Sequence, residues 1–375
     1  MELVFEEYRT RRIVNVHKRV DPWFWDRYSA TPYVGCRSGC EFCYLRGQRY
    51  LPSIDPDRFD THIRVKINAV ERLRRELPRL EKDILYCGDW QQPAETRYRL
   101  SRQMLEVVLE NGFPLLIIER SPLLERDVDL LVDIGRASWV FVLISISSLD
   151  PQVKRAFEPR SPGLRRRLEL MEHLASHGIP VGVALMPVFP YISDDEASLR
   201  NVIRVARDHG ASVILAGTLS MEGVQAQRTL RVVQRYWPHL EAAWRDLYRW
   251  HQGKPAYAPP RTYTARLGRM VREICREEGV KDRLPRYVVP GPRAWNKKLA
   301  EHFHLRAYDL ELAEAPPHRI WAYRKAAWSL DDYSGDVRQL YRDQGVRGLQ
   351  SIPNIGVKLA REAANWLEES GGERD

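Results

Sequence analysis

Three cysteines stand close together in ATPYVGCRSGCEFCYLRG: Cys36, Cys40 and Cys43, spaced C-x3-C-x2-C. Thiolates this close in sequence can wrap one face of a metal centre, and in a chain poor in cysteine such a cluster points to metal rather than to disulfides. A structural zinc ion needs four closed ligands and would have to recruit a distant Cys87 or His62. No second C-x2-C pair offers itself. Three cysteines alone suit a [4Fe–4S] cluster with one iron left open, and an open iron can bind and reduce a second cofactor. Of the five cysteines in the chain, Cys275 falls inside RMVREICREE and reads as a core residue of a helix.

The elements that must position these thiols follow as alternating apolar runs and helical stretches. DILYCG (83–88), PLLIIE (114–119), WVFVLISI (139–146), PVGVALMPV (180–188) and SVILAGT (212–218) read as buried parallel strands, because they are rich in Val, Ile and Leu with little polar alternation. Helical patterns lie between them, near 97–111, 125–135, 162–177 and 195–209. Gly112, Gly178 and Gly210 follow three of these, where a left-handed cap is needed. Repeated βα units predict an α/β fold with a TIM-like or doubly wound parallel sheet. Beyond residue 220 the pattern becomes helical and aromatic, with Pro-rich breaks at 251–263, 285–295 and 314–319. The expected domains are 1–224, a helical extension over 225–315 and a separate helical unit over 316–375.

The chain has 375 residues, 44% apolar and 29% charged, which excludes a disordered protein. No apolar run reaches the roughly 18 residues of a membrane span, and MELVFEEYRTRR lacks the apolar core of a signal peptide. A reducing cytoplasm is the expected compartment. The net charge is +9, carried by 49 arginines and ten lysines. Arginine binds phosphate bidentately and stacks on bases, so nucleic acid is a compatible partner; a compositional bias toward arginine is the bland alternative.

C-x3-C-x-aromatic-C, with Phe42 in the aromatic place, resembles the radical S-adenosylmethionine (SAM) enzymes. The likeness continues over residues 28–220 and is strongest to the spore photoproduct lyase-like branch. GDWQQPAE, ERSPLLERDVDLL and SISSLDPQVKRAFEPRSPG…GIPVGVALMPVFPYISDDE match that branch's segments in order. The resemblance implies a partial (β/α)6 barrel whose open iron chelates SAM, and cleavage of SAM to a 5′-deoxyadenosyl radical. It also implies an electron donor of flavodoxin or ferredoxin type. By the same likeness, Phe42 and Tyr44 flank the adenine, while Asp89, Arg120, Ser145 and Ser147 sit at barrel-mouth strand ends as SAM contacts. Arg120 stands where the family has a lysine that meets the SAM carboxylate, and Glu119 where it has a threonine. Cys87, at the end of the second apolar run, lies near the position of the family's hydrogen-donating cysteine, with a one-residue slip.

The tail adds a second chemistry. LQSIPNIGVKLA resembles a helix-hairpin-helix, and AYRKAA ahead of it is similar to the small domain of family X DNA polymerases. Ile352, Asn354, Gly356 and Lys358, with Arg347, are then the expected duplex DNA contacts, made to phosphate rather than to bases. Asn354 replaces a glycine and tolerates the left-handed backbone better than most residues. Arg266, Arg269, Arg272 and Arg276 share one helix face, and Arg165–Arg166–Arg167 reads as the exposed start of a helix. The leading expectation is a radical SAM enzyme repairing a DNA lesion. An enzyme modifying RNA or another substrate, and a non-catalytic metal-stabilised DNA-binding protein, are the competing expectations.

Overall fold

The structure, a computed structural model, describes residues 2–47, 50–51, 54–88, 90–251 and 253–370. It divides into two compact units. The first comprises Met1–Val16 and Tyr28–Leu284, the second His17–Arg27 and Pro285–Asp375.

Among the described residues of the first unit, ten strands form two sheets. The strands are β1 (Val4–Tyr8), β2 (Val14–Val16), β3 (Tyr28–Ala30), β4 (Tyr33–Val34), β5 (His62–Lys66), β6 (Leu85–Gly88), β7 (Leu115–Glu119), β8 (Val140–Ser145), β9 (Val181–Val188) and β10 (Ala211–Thr218). The larger sheet runs β10-β9-β8-β7-β6-β3-β2. From β3 to β10 every pairing is parallel, and only β2 is antiparallel. Six parallel strands fit the partial barrel that the family resemblance implies. The apolar runs mark the last five; β3, too short and too polar to stand out, went unread. The smaller sheet, β1-β5-β4, was likewise not foreseen.

The helices of this unit are α1 (Ala69–Glu76), α2 (Glu95–Tyr98), α3 (Leu100–Glu110), α4 (Val128–Ala137), α5 (Pro151–Phe157), α6 (Leu164–Ser176), α7 (Glu196–Asp208), α8 (Gly223–Tyr236), α9 (Glu241–Leu247) and α10 (Arg261–Glu277). Gly112, Gly178 and Gly210 follow α3, α6 and α7 with φ of 56°, 75° and 94°. One face of the sheet packs on the helices: Leu85, Cys87, Leu115, Ile117, Val142 and Ile144 share a core with Leu73, Met104, Leu131 and Leu170. Successive strand residues point to opposite faces, so Gly88, Ile118 and Ser145 face the barrel interior.

The units cut the chain elsewhere than composition suggests. Residues 225–284 belong with the barrel, because Leu267, Val271, Ile274 and Cys275 of α10 enter the sheet–helix core and Lys281 exchanges backbone hydrogen bonds with Ser212 and Ile214. The second unit holds α11 (Ala294–Leu312), α12 (Pro317–Asp332), α13 (Val337–Gln350) and α14 (Val357–Ser370). Leu299, Phe303, Ile320, Leu330, Leu349, Ile352 and Leu359 form its core. The segment His17–Arg27 packs here too. Trp25 is buried, Trp328 donates to the Val20 carbonyl at 3.2 Å, and Arg27 pairs with Asp332 at 2.9 Å. No described helix is long and apolar enough to cross a membrane.

Candidate active site

The cysteine loop leaves β4 through Gly35, whose φ is 88°. A Cβ there would lie 2.8 Å from the carbonyls of both Phe59 and His62, so only glycine lets the chain pass β5 so closely. Consecutive turns then shape the loop: Gly39 N–H donates to the Cys36 carbonyl at 3.1 Å, Cys43 to Cys40 at 3.3 Å and Arg46 to Cys43 at 3.2 Å. None of the three cysteines is in a disulfide; Cys36 and Cys40 are buried and Cys43 is half-buried. Among the described residues no three His, Cys, Asp or Glu side chains converge on a point where a single ion would sit. In a cubane each of three thiolates would bind a different iron, so its ligands need not share one point.

Gln92 anchors the loop from the side. Its amide donates to the Gly35 carbonyl at 2.8 Å and accepts from Arg37 N–H at 3.4 Å. Glu95, fully buried, accepts from Ser101 N–H at 2.9 Å, from the Tyr33 hydroxyl and from Arg126. The Gln-Pro-x-Glu segment is thus the wall against which the loop is set. From the opposite side, α8 reaches the loop: Gln225 donates to the Phe42 carbonyl at 3.1 Å and Arg228 pairs with Glu41 at 2.7 Å.

Arg120, Ser145 and Ser147 are brought together with Cys40, as expected. Arg120 Nη1 donates to Cys40 Sγ at 2.7 Å, and Nη2 donates to Ser145 Oγ at 3.2 Å. Beneath them lies Glu158, 3% exposed, which takes Ser147 Oγ at 3.3 Å and Ser161 Oγ at 3.0 Å, with Arg120 Nη1 3.8 Å away. Arg167 closes the group. It is fully buried, donates to the Ser145 carbonyl at 2.8 Å and to Glu158. Burial pushes the Cys40 thiol up to about 12, against the pull of the Arg120 guanidinium, so a metal would displace a proton on binding there. Glu119 caps the turn after β7: its carboxylate accepts from the N–H groups of Arg120 at 2.8 Å, Ser121 at 3.2 Å and Gln91 at 3.0 Å. This explains an acid where a threonine was expected.

The structure places several other singled-out residues differently from a barrel-mouth or surface reading, and one lies outside the described residues. Cys87 pairs in register with Ile117 and shares its helix-packed face, opposite to Arg120 and Ser145. It is 1% exposed, and burial raises its thiol well above the ordinary range. Its side chain therefore packs in the sheet–helix core rather than facing the barrel interior. Phe42 is buried, set edge-on to Phe189 with ring centroids 5.3 Å apart and tilted against Phe157 at 6.5 Å. Tyr44 is half exposed and meets Tyr50 at 5.3 Å. Arg167 belongs to the buried network, while Arg165 and Arg166 are the exposed pair beside Glu169. Asp89 lies outside the described residues. The arginine face of α10 is largely neutralised: Arg266 lies 3.7 Å from Asp194, Arg272 3.1 Å from Asp282, and Arg276 pairs with Glu273.

In the second unit Gly345, at φ 61°, breaks α13, and its last turn leads through 351–356 into α14. Asn354 has φ 64°, the left-handed backbone expected of it, and its amide donates to Ser329 Oγ at 2.9 Å. Ile352 is buried, whereas Gly356, Lys358 and Arg347 are exposed. The sequence did not single out Glu158 or Arg46; the E-P-R segment carries the first, but nothing in its spacing separates a buried acid from a surface one.

Residues 31–203 match the Radical SAM superfamily, and residues 294–370 match the helix-hairpin-helix domain family. An uncharacterized protein of Mycobacterium tuberculosis is 29% identical over 240 residues, covering 62% of this chain and 69% of the relative. One from Methanocaldococcus jannaschii is 24% identical over 170 residues, covering 45% and 63%. The fold is similar to that of a spore photoproduct lyase variant with bound AdoMet and dinucleoside spore photoproduct, with TM-score 0.55 and 16% identity over 74% of this chain and 81% of that one. A spore photoproduct lyase complexed with dinucleoside spore photoproduct gives TM-score 0.53 and 15% identity, over 74% and 81%. The chain is therefore an enzyme that joins a radical SAM domain, whose family works with a [4Fe–4S] cluster and SAM, to a helix-hairpin-helix domain.

Proposed function

We propose that this enzyme repairs a lesion in DNA by chemistry of the spore photoproduct lyase type. Cys36, Cys40 and Cys43 would hold the cluster, which when reduced supplies the electron that cleaves SAM to a 5′-deoxyadenosyl radical. A one-electron carrier of flavodoxin or ferredoxin type provides that electron. Arg120 and Ser145 sit beside Cys40 and would orient the carboxylate and amino groups of SAM; a guanidinium suits a carboxylate. Ser147 holds the Glu158 carboxylate under this pair.

The observation that carries the DNA reading is the state of the basic residues in the hairpin. Arg342, Arg347, Lys358 and Arg361 are exposed, and none has an ion-pair partner among the described residues. Gly356 stands just before α14, and a Cβ built there would meet nothing within 4 Å. Unpaired cations beside an open helix N-terminus hold a phosphate without reading sequence. A lesion in a duplex would be extruded toward the barrel mouth.

The test is anaerobic reconstitution, reduction, and assay of 5′-deoxyadenosine with ultraviolet-damaged duplex DNA, undamaged duplex, single-stranded DNA and tRNA, followed by mass analysis of each nucleic acid. Loss of a lesion mass from the damaged duplex supports the reading. Modification of tRNA, or SAM cleavage with no change in any DNA, would overturn it.

A further inference from the structure

We propose that Arg46 is the positioning residue of the cluster loop, a buried cation that fixes the loop's backbone and balances the negative charge of its thiolates. The proposal rests on the reading that Cys36, Cys40 and Cys43 hold the cluster.

Arg46 is 0% exposed and among the largest fully buried side chains of the chain. Its three nitrogens are spent on backbone oxygens: Nε donates to Cys40 at 3.2 Å, Nη2 to Gly39 at 3.0 Å and Nη1 to Pro56 at 2.9 Å. The first two acceptors lie inside the cysteine loop, and the third lies on the segment that returns beneath it. The planar fork therefore ties the turn between Cys36 and Cys43 to a second stretch of chain. Lysine, a point charge on a flexible stem, cannot reproduce three fixed directions at once. The guanidinium also lies 4.8 Å over the Phe59 ring.

The charge balance points the same way. A buried cation is costly unless it is paired. The nearest carboxylate, Asp60, is 3.9 Å away and is itself bonded to Arg160. Asp60 is thus shared between two guanidiniums, and Glu41, the other carboxylate acting on Arg46, is paired with Arg228, so among the described residues Arg46 has no ion-pair partner closer than 3.9 Å. Thiolates bound to iron would add negative charge beside it. A fixed positive charge there favours the reduced, more negative cluster and raises its potential.

The experiment compares the full-length protein with Arg46→Lys and Arg46→Met after anaerobic reconstitution. Iron and sulfide per chain, the rate of iron loss to a chelator and the cluster midpoint potential are measured, with circular dichroism of each apo protein as the folding control. We expect both variants to lose iron about 10- to 100-fold faster than the parent. Arg46→Met should also shift the midpoint to more negative potential, whereas Arg46→Lys, which keeps the charge, should hold it near the parent value. If Arg46→Met does not fold, Arg46→Lys alone carries the test through its iron-loss rate. A parent that holds its cluster, with variants equal to it in iron retention and potential, overturns this inference alone. A parent that takes up no iron overturns the cluster reading and this inference with it.

Discussion

Glu158→Gln is the substitution that examines the buried network under the site most directly. Glu158 is the carboxylate on which Arg167 and Arg120 converge, and both Glu158 and Arg167 are removed from water. Burial alone would raise its pKa. The Arg167 and Arg120 guanidiniums, with hydrogen bonds from Arg167 and Ser161, outweigh this and hold it below the ordinary carboxylate value. Glutamine keeps the shape and removes the charge, leaving Arg167 buried and uncompensated. Breaking one side of a buried pair costs about 3–5 kcal/mol. At about 2–4 °C per kcal/mol for a unit of this size, the melting temperature should fall by roughly 6–20 °C. The double variant Glu158→Gln with Arg167→Met removes both charges and should recover about 1 kcal/mol or more relative to the sum of the singles. The assay is urea or thermal unfolding followed in the first unit. A Glu158→Gln protein melting within about 1 °C of the parent, or a double variant equal to the sum, would refute the reasoning. The pH dependence follows from the depressed pKa. The carboxylate's stabilisation is complete above its unfolded value of about 4.5 and is lost as pH falls through the lower folded value; Glu158→Gln should flatten that acid limb.

Three further outcomes are expected. Cys87→Ala should leave 5′-deoxyadenosine formation and the product distribution unchanged, because its side chain faces the helices; a diverted product in mass analysis would restore it as a hydrogen donor. Arg347→Ala and Lys358→Ala should each reduce the slope of log affinity against log salt for duplex DNA by about 1, without changing sequence preference; unchanged slopes would remove the hairpin from the interface. His304 lies near the rings of Trp25 and Trp328, with neither ring nitrogen hydrogen-bonded among the described residues. Burial lowers its pKa from 6.5 to about 4. The unfolded chain therefore takes up a proton that the folded unit refuses, so the second unit should lose stability as pH falls from 6.5 toward 4, at up to about 1.4 kcal/mol per pH unit. His304→Leu should remove that slope, which unfolding at several pH values would show.

Much of the molecule is legible in its sequence where one residue type has one physical meaning. Three cysteines in eight positions have few uses, and uninterrupted Val/Ile/Leu runs have few places to go except a covered parallel sheet. What is not legible depends on direction. Cys87 and Gly88 are neighbours, yet strand alternation sends one to the helices and the other to the barrel interior, and a one-residue slip in alignment reverses the assignment. HKRVDPWFWDR falls within the expected first domain of 1–224, but Val20 and Trp25 contact Trp328 and His304 of the second unit.

Arginine shows why composition could not separate these roles. The same guanidinium that stacks on a base or grips a phosphate also holds three carbonyls at once. In the barrel, Arg46 and Arg167 are enclosed and committed to backbone oxygens and to Glu158, so they contribute to the chain's +9 charge without presenting any of it at the surface. In the hairpin, Arg347 and Lys358 are exposed and have no ion-pair partner among the described residues. A nucleic acid bound there would meet the second kind. The net charge of such a protein is therefore a poor guide to its partner, and the salt dependence of binding should report the handful of unpaired cations rather than the total.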